Sequence, residues 1–152
     1  MIENNNIEHR PWGCYQVTKK SNDGSELEKL ITVKPNNKLS LQSHRHREEF
    51  WQILEGNALV EIDSVTFNLS DNDKIHIPLG AIHRVKNIGQ QDLVIHEIQK
   101  GELLSEEDII RYEDDYGRVD YKEVLIEMCK KYPNYCELGQ KLSSLINNIP
   151  DE

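Results

Sequence analysis

The chain has 152 residues, 37% hydrophobic and 30% charged, enough for one globular domain with a real core. Its 27 acidic against 18 basic residues give a net charge of −9, which argues against nonspecific nucleic-acid binding while leaving room for a local basic patch that holds one small phosphate. The N-terminal stretch is polar and asparagine-rich and no long apolar run follows, so a cytoplasmic chain with no membrane contact is expected. The cysteines Cys14, Cys129 and Cys136 are odd in number and lack metal-type spacing, so they read as reduced structural thiols; a Cys129–Cys136 bridge is an open alternative but unneeded in a reducing compartment.

From Trp12 to about Gln99 the sequence reads as short strands broken by polar turns. Strands are expected at 27–33, 39–46, 50–54, 58–62, 66–69, 74–77, 83–87 and 93–99, with a turn at Pro35-Asn36-Asn37 and a hairpin turn at Glu55-Gly56-Asn57. Many short strands at regular spacing point to a β-sandwich or barrel. The pattern changes at Ser105, a helix-cap residue followed by Glu106, Glu107 and Asp108, after which Ile109 and Ile110 are expected to pack as that turn closes. Residues 113–118 read as a polar loop. Two amphipathic helices follow, at 121–131 and 136–149, separated by Pro133-Asn134, with Val124, Leu125 and Met128, then Leu138, Leu142, Leu145 and Ile149, at helical spacing. The reading is one mainly β domain over 1–118 with a helical extension, 119–152, packed on it.

The chemistry concentrates in two cassettes. In Gln42-Ser43-His44-Arg45-His46-Arg47-Glu48-Glu49 the two-residue period of a strand puts Gln42, His44 and His46 on one face, with Glu49 close behind. Pro78-Leu79-Gly80-Ala81-Ile82-His83 is a Pro-x-Gly turn that delivers His83 to a strand start. An amide oxygen, two imidazoles and a carboxylate make a sensible shell for a divalent metal. The spacings resemble the paired motifs of cupins, with Asn36 and Asn72 standing where the frame has glycine; asparagine tolerates positive φ better than most residues. In that frame the ligands are Gln42, His44, Glu49 and His83. The alternative pair, His44 and His46, leaves only two residues before Glu49 and fits less well.

The chain also resembles a narrower family, the cupin domain of type II mannose-6-phosphate isomerases, which usually forms the C-terminal part of a fused mannose-1-phosphate guanylyltransferase. The resemblance is carried by Arg10-Pro11-Trp12-Gly13-x-Tyr15, Leu39-Ser40-Leu41-Gln42-x-His44, Arg47-x-Glu49-x-Trp51 and Ile77-Pro78-x-Gly80-x-x-His83. It continues through Glu97-Ile98-Gln99-x-Gly101 and from Glu107 to Arg118. It implies a jelly-roll fold, a divalent metal (commonly Zn2+, with Mn2+, Fe2+ or Co2+ also suited to these ligands) and interconversion of mannose 6-phosphate and fructose 6-phosphate. No Gly-rich phosphate loop occurs in the chain, so guanylyltransferase activity is not expected.

Such an isomerisation needs a Lewis acid, a base that moves a proton between C1 and C2, and cations that hold the phosphate. Candidates for the base are His46, Glu48, Glu97 and Lys100. Arg111, Arg118 and Arg84 lead the phosphate candidates, with Lys100 and Arg47 behind them. Arg45 is expected on the opposite face from His44, and Trp51, Trp12 and Tyr15 in packing roles. Two other readings stay open: a related isomerase or epimerase acting on another sugar or nucleotide sugar, and a non-catalytic sugar- or metal-binding module. Pairing of two copies into a homodimer is also open.

Overall fold

The alternation in Glu26–Val33 explains the architecture. Leu27, Lys29, Ile31 and Val33 are buried while their neighbours are half-exposed, as a strand with one face on a core requires. A computed structural model describes residues 6–147, apart from the side chains at positions 135, 136, 145 and 146. Eleven strands run in chain order: β1 (Ile7–Arg10), β2 (Gly13–Lys20), β3 (Glu26–Val33), β4 (Leu41–His44), β5 (Arg47–Glu55), β6 (Ala58–Ile62), β7 (Val65–Leu69), β8 (Lys74–Ile77), β9 (His83–Asn87), β10 (Leu93–Gly101) and β11 (Ile109–Glu113). Helices α1 (Tyr121–Lys131) and α2 (Tyr135–Asn147) follow. Among the described residues no helix is long and apolar enough to cross a membrane.

The strands form two antiparallel sheets, β1-β2-β3-β10-β5-β8 and β11-β4-β9-β6-β7, facing each other as a jelly roll. Strands distant in sequence are neighbours: β10 lies between β3 and β5, and β9 between β4 and β6. One end of the interior is apolar, built from Val33, Ile53, Ala58, Val60, Val85, Leu93 and Ile95, all at most 1% exposed. The other end is lined by Lys29, His44, Arg47, Glu49, His83, Glu97 and Gln99, also buried. Register produces this polar end. Lys29 pairs with Glu97 and Glu97 with Trp51, while Gln99 pairs with Glu49, so inward-facing polar side chains form adjacent rows across three strands.

The two asparagines at glycine positions of the motif frame are indeed left-handed, Asn36 at φ 62° and Asn72 at φ 71°. The strand through the histidine cassette is shorter than the sequence suggests. β4 ends at His44, and Arg45 and His46 form a bend. The bend is held from outside: the Asp108 carboxylate accepts the backbone N–H groups of Arg45 (3.2 Å) and His46 (3.0 Å). Gly101 lies so close beneath it that a Cβ there would sit 2.0 Å from the His46 carbonyl oxygen.

Three strands escape the sequence reading. β1 and β2 lie in the polar N-terminal segment, where alternation is weak. β11 replaces the expected helix: Ser105 does cap a turn, accepting from Glu107 N–H, but it is a short 3-10 turn over Glu106–Asp108. Cross-strand pairing with β4 then draws Ile109–Glu113 into the sheet. α1 has the expected bounds, with Asp120 as its cap. Val124 and Met128 pack with Ile110, Tyr112, Leu41 and Ile82 in a second apolar cluster behind β4 and β11, whereas Leu125 is exposed. Leu138 joins this cluster; Leu145 and Cys136 as side chains, and Ile149, lie outside the described residues. Cys14 and Cys129 are free thiols.

Replacing Asn72 by Val is expected to lower stability by about 1–2 kcal/mol, because a β-branched residue resists left-handed backbone, while Asn72→Gly stays within about 1 kcal/mol of the parent. Urea unfolding of the two variants checks this; equal losses would argue against the left-handed turn.

Candidate metal centre and anion cavity

β4 and β9 meet through the pair Gln42–His83, which sets Gln42 beside His83 and His44 one turn of the pleat away. β5 brings Glu49 beneath them. His44 Nε2 lies 2.9 Å from Glu49 Oε1 and His83 Nε2 lies 3.5 Å from Glu49 Oε2; all three residues are at most 2% exposed. One potential ligand atom from each falls within 4.8 Å of the others. His83 Nδ1 is 2.9 Å from the Ala81 carbonyl, which fixes the ring and leaves Nε2, buried and without a hydrogen-bond partner, aimed at Glu49. Gln42 and Glu49 both line one cavity, and Gln42 Oε1 accepts from Ser40 Oγ at 2.9 Å.

The electrostatics suit a cation. Burial pushes the Glu49 carboxyl up, but His44 and His83 outweigh it and hold Glu49 well below the usual carboxylate range. Burial lowers the His44 pKa, opposed by Glu49 and reinforced by Arg47. An ionised carboxylate with a neutral imidazole is the protonation state that metal binding requires. The orphaned Nε2 of His83, the clustered donors and their hard-to-borderline chemistry therefore fit a divalent metal.

Glu97 stands next to this cluster. Trp51 Nε1 donates to both Glu49 Oε2 (3.1 Å) and Glu97 Oε2 (3.0 Å), and Gln99 Nε2 donates to Glu97 Oε1 at 2.6 Å. Burial, with repulsion from Glu49, pushes the Glu97 pKa up to about 8. Arg47 is also committed to the cluster. It donates to Glu49 Oε1 at 3.2 Å and to the Ser105 carbonyl at 2.8 Å.

The cavity also carries cations. Arg10, Lys29, Arg111 and Arg118 line it together with Tyr15 and Glu106. Lys29 reaches Glu106 at 2.8 Å and sits 4.6 Å from the Tyr15 ring centroid, over which Arg10 also lies at 5.2 Å. Arg118 is held by Asp114 through two donors at 2.8 and 2.9 Å. Arg111 faces Gln42 across the β11–β4 ladder; its Nε is buried without a partner, and burial and then Arg118 lower its pKa. Two guanidiniums close enough to repel each other make a ready anion site.

Four residues expected at the site are elsewhere. His46 is exposed, because the bend after His44 breaks the two-residue alternation that would have aimed it inward. Lys100 is exposed on the outer face of β10, opposite in parity to Glu97 and Gln99, and pairs with Glu26 at 3.2 Å. Arg84 points outward from β9 and bridges Glu61 (3.0 Å) and Glu113 (3.2 Å). Glu48 also faces out, 2.6 Å from His76. Lys29 and Arg10 were not anticipated as site residues. A lysine at the inward parity of an otherwise apolar strand face, between Leu27 and Ile31, was the legible signal for Lys29.

Glu97→Gln, in chelated protein, is expected to gain stability over the parent as pH rises from about 5 to about 8. The folded parent keeps the proton that the unfolded chain loses near its ordinary value of 4.5, so the parent is penalised progressively up to about 8, on the order of a few kcal/mol. Urea midpoints at pH 5 and pH 8 check this, and a pH-independent difference would contradict it. His83→Ala is expected to abolish stoichiometric metal, read by elemental analysis after dialysis; retained metal would remove His83 from the ligand set.

The chain has recognisable relatives among known proteins. Residues 2–114 match the family described as mannose-6-phosphate isomerase C-terminal. The alginate biosynthesis protein AlgA of Pseudomonas aeruginosa is 46% identical over 110 residues, 72% of this chain and 22% of that protein. The xanthan biosynthesis protein XanB of Xanthomonas campestris is 44% identical over 111 residues, 72% of this chain and 23% of its own length. A mannose-1-phosphate guanylyltransferase of Escherichia coli is 43% identical over 111 residues, 73% of this chain and 23% of that enzyme. The chain thus spans less than a quarter of the length of these relatives. Among solved structures, the capsular polysaccharide assembling protein CapF of Staphylococcus aureus superposes with TM-score 0.61 at 16% identity, over 69% of this chain and 33% of that one. An oxalate decarboxylase superposes with TM-score 0.60 at 23% identity, over 70% and 30%. These likenesses establish the cupin fold, and the match over residues 2–114 places the chain in the mannose-6-phosphate isomerase C-terminal family.

Proposed function

We propose that this chain is a metal-assisted aldose–ketose isomerase that interconverts mannose 6-phosphate and fructose 6-phosphate. One observation carries the reading: Gln42, Glu49 of the His44–Glu49–His83 cluster, the raised-pKa carboxyl of Glu97 and the cations Arg111, Arg118 and Lys29 all line a single cavity. Family membership supports it.

His44, Glu49 and His83, with Gln42 alongside, are the residues that would hold a divalent metal, Zn2+ being the first expectation. When bound there, such an ion supplies Lewis acidity to the sugar oxygens as an enediolate develops. Glu97 is the base in this scheme. Trp51 and Gln99 fix both its oxygens; with a pKa of about 8 only about a tenth of Glu97 is ionised at neutral pH, and it is this carboxylate that accepts the C2 proton and returns it to C1 while the O2 hydroxyl proton passes to O1, so turnover rises toward pH 8. Arg111 and Arg118, which line the cavity, clamp the phosphate, with Lys29 adding charge. His46 and Lys100, exposed outside the cavity, take no part in it.

Turnover of mannose 6-phosphate is expected from the purified chain, lost on chelation and restored by Zn2+ or Mn2+. Arg118→Ala is expected to raise KM about tenfold or more with a smaller change in kcat, since a phosphate clamp acts on ground and transition states alike. A folded, metal-loaded protein without turnover would shift the reading to another sugar substrate or to a binding module.

A further inference from the structure

Helix α1 lies beyond residues 2–114, the stretch matched by the family, yet it contacts both segments that carry the metal-site histidines. On one side, Arg45, the residue after His44, reaches Glu127 at 3.0 Å through Nε and Glu123 at 3.4 Å through Nη1. On the other side, Lys131 at the end of the helix donates to the Gly80 carbonyl at 3.1 Å and to Asp63 at 3.2 Å. Gly80 ends the Pro-x-Gly turn that delivers His83, and its N–H donates to the His44 carbonyl at 3.0 Å. Asp63 in turn accepts the Ile82 N–H at 3.0 Å.

The apolar side of the helix reinforces the same two points. Val124 and Met128 are buried against Ile110 and Tyr112, and Leu41 and Ile82, chain neighbours of Gln42 and His83, pack on that cluster. The Tyr112 hydroxyl lies 2.8 Å from Ser43 Oγ, between Gln42 and His44 in the chain. Leu41, Ser43, Arg45 and Ile82, which flank the candidate ligands in the chain, are therefore held from the α1 side.

We propose that α1 is a positioning brace for the metal centre: by pinning the Arg45 bend and the Gly80 turn to one rigid helix, it fixes the separation of His44 and His83 and so sets metal affinity and coordination geometry. The proposal rests on the metal reading above. An isolated exposed ion pair contributes little, but contacts that orient ligands through the backbone commonly change metal affinity severalfold or more.

The test uses the full-length chain and Co2+ as probe, with Kd from competition against a chromogenic chelator and geometry from the visible absorption bands. Arg45→Glu and Lys131→Met are each expected to raise the Co2+ Kd about three- to tenfold and to alter the visible bands. The charge swap Arg45→Glu with Glu127→Arg is expected to recover most of the loss, and Lys122→Ala, on the exposed side of the same helix, to leave both readouts unchanged. A merely structural helix would lower the urea midpoint in these variants and leave Kd and bands at parental values; that result overturns the proposal. If Arg45→Glu fails to fold, Lys131→Met, which keeps the aliphatic stem, decides alone. Absence of Co2+ binding by the parent protein would sink the metal reading, and the brace with it.

Discussion

Glu49 is an ionised carboxylate at 1% exposure, and most of the polar end of the barrel is arranged around that cost. A buried charge is tolerable only when its lone pairs are taken up and an opposite charge is near. Arg47, His44 and Trp51 supply the hydrogen bonds and His83 the adjacent imidazole. Remove this knot and the surrounding strands have no reason to keep a lysine, an arginine, two histidines and a second glutamate inside. The same knot ties distant parts of the chain: Arg47 extends it to the Ser105 carbonyl, and Trp51 carries it to Glu97 on β10.

The division of the barrel into an apolar and a polar end follows. The apolar end, from Val33 to Ile95, provides the burial that holds the sheets together. The polar end contributes little net stability, since desolvation consumes most of the pairing energy, but it fixes geometry. Burial, and then the Glu49 charge, raise the neighbouring Glu97, so two carboxyl groups bridged by one indole N–H titrate far apart. That separation is what the proposed scheme uses, with one as a ligand-type carboxylate and the other as a proton carrier. Beside these two, Arg111 and Arg118 line the same cavity with positive charge on a chain whose net charge is −9.

The structure also redistributes roles among residues that look alike in sequence. His44 and His46 both carry imidazoles two positions apart, yet one is a buried candidate ligand and the other an exposed bend residue. The difference comes from Asp108, 62 positions away from His46, whose carboxylate caps the bend. Arg84 and Arg111 are likewise both strand arginines; strand parity sends the first to Glu61 on the surface and the second to the cavity.

Local periodicity and motif spacing were enough to read the strands from Glu26 to Gly101, the left-handed turns at Asn36 and Asn72, the helix at 121–131 and the gathering of His44, Glu49 and His83, because each depends on neighbours a few residues apart or on a recurrent frame. Cross-strand and cross-sheet contacts decided the rest. Pairing with β4 turned Ile109–Glu113 into a strand against its helix-like opening, register placed Lys29 beside Glu97, a remote carboxylate turned His46 outward, and α1 came to rest on both histidine-bearing segments. Such partners lie tens of residues apart, and a linear sequence records a side chain's chemistry without recording which distant surface will face it.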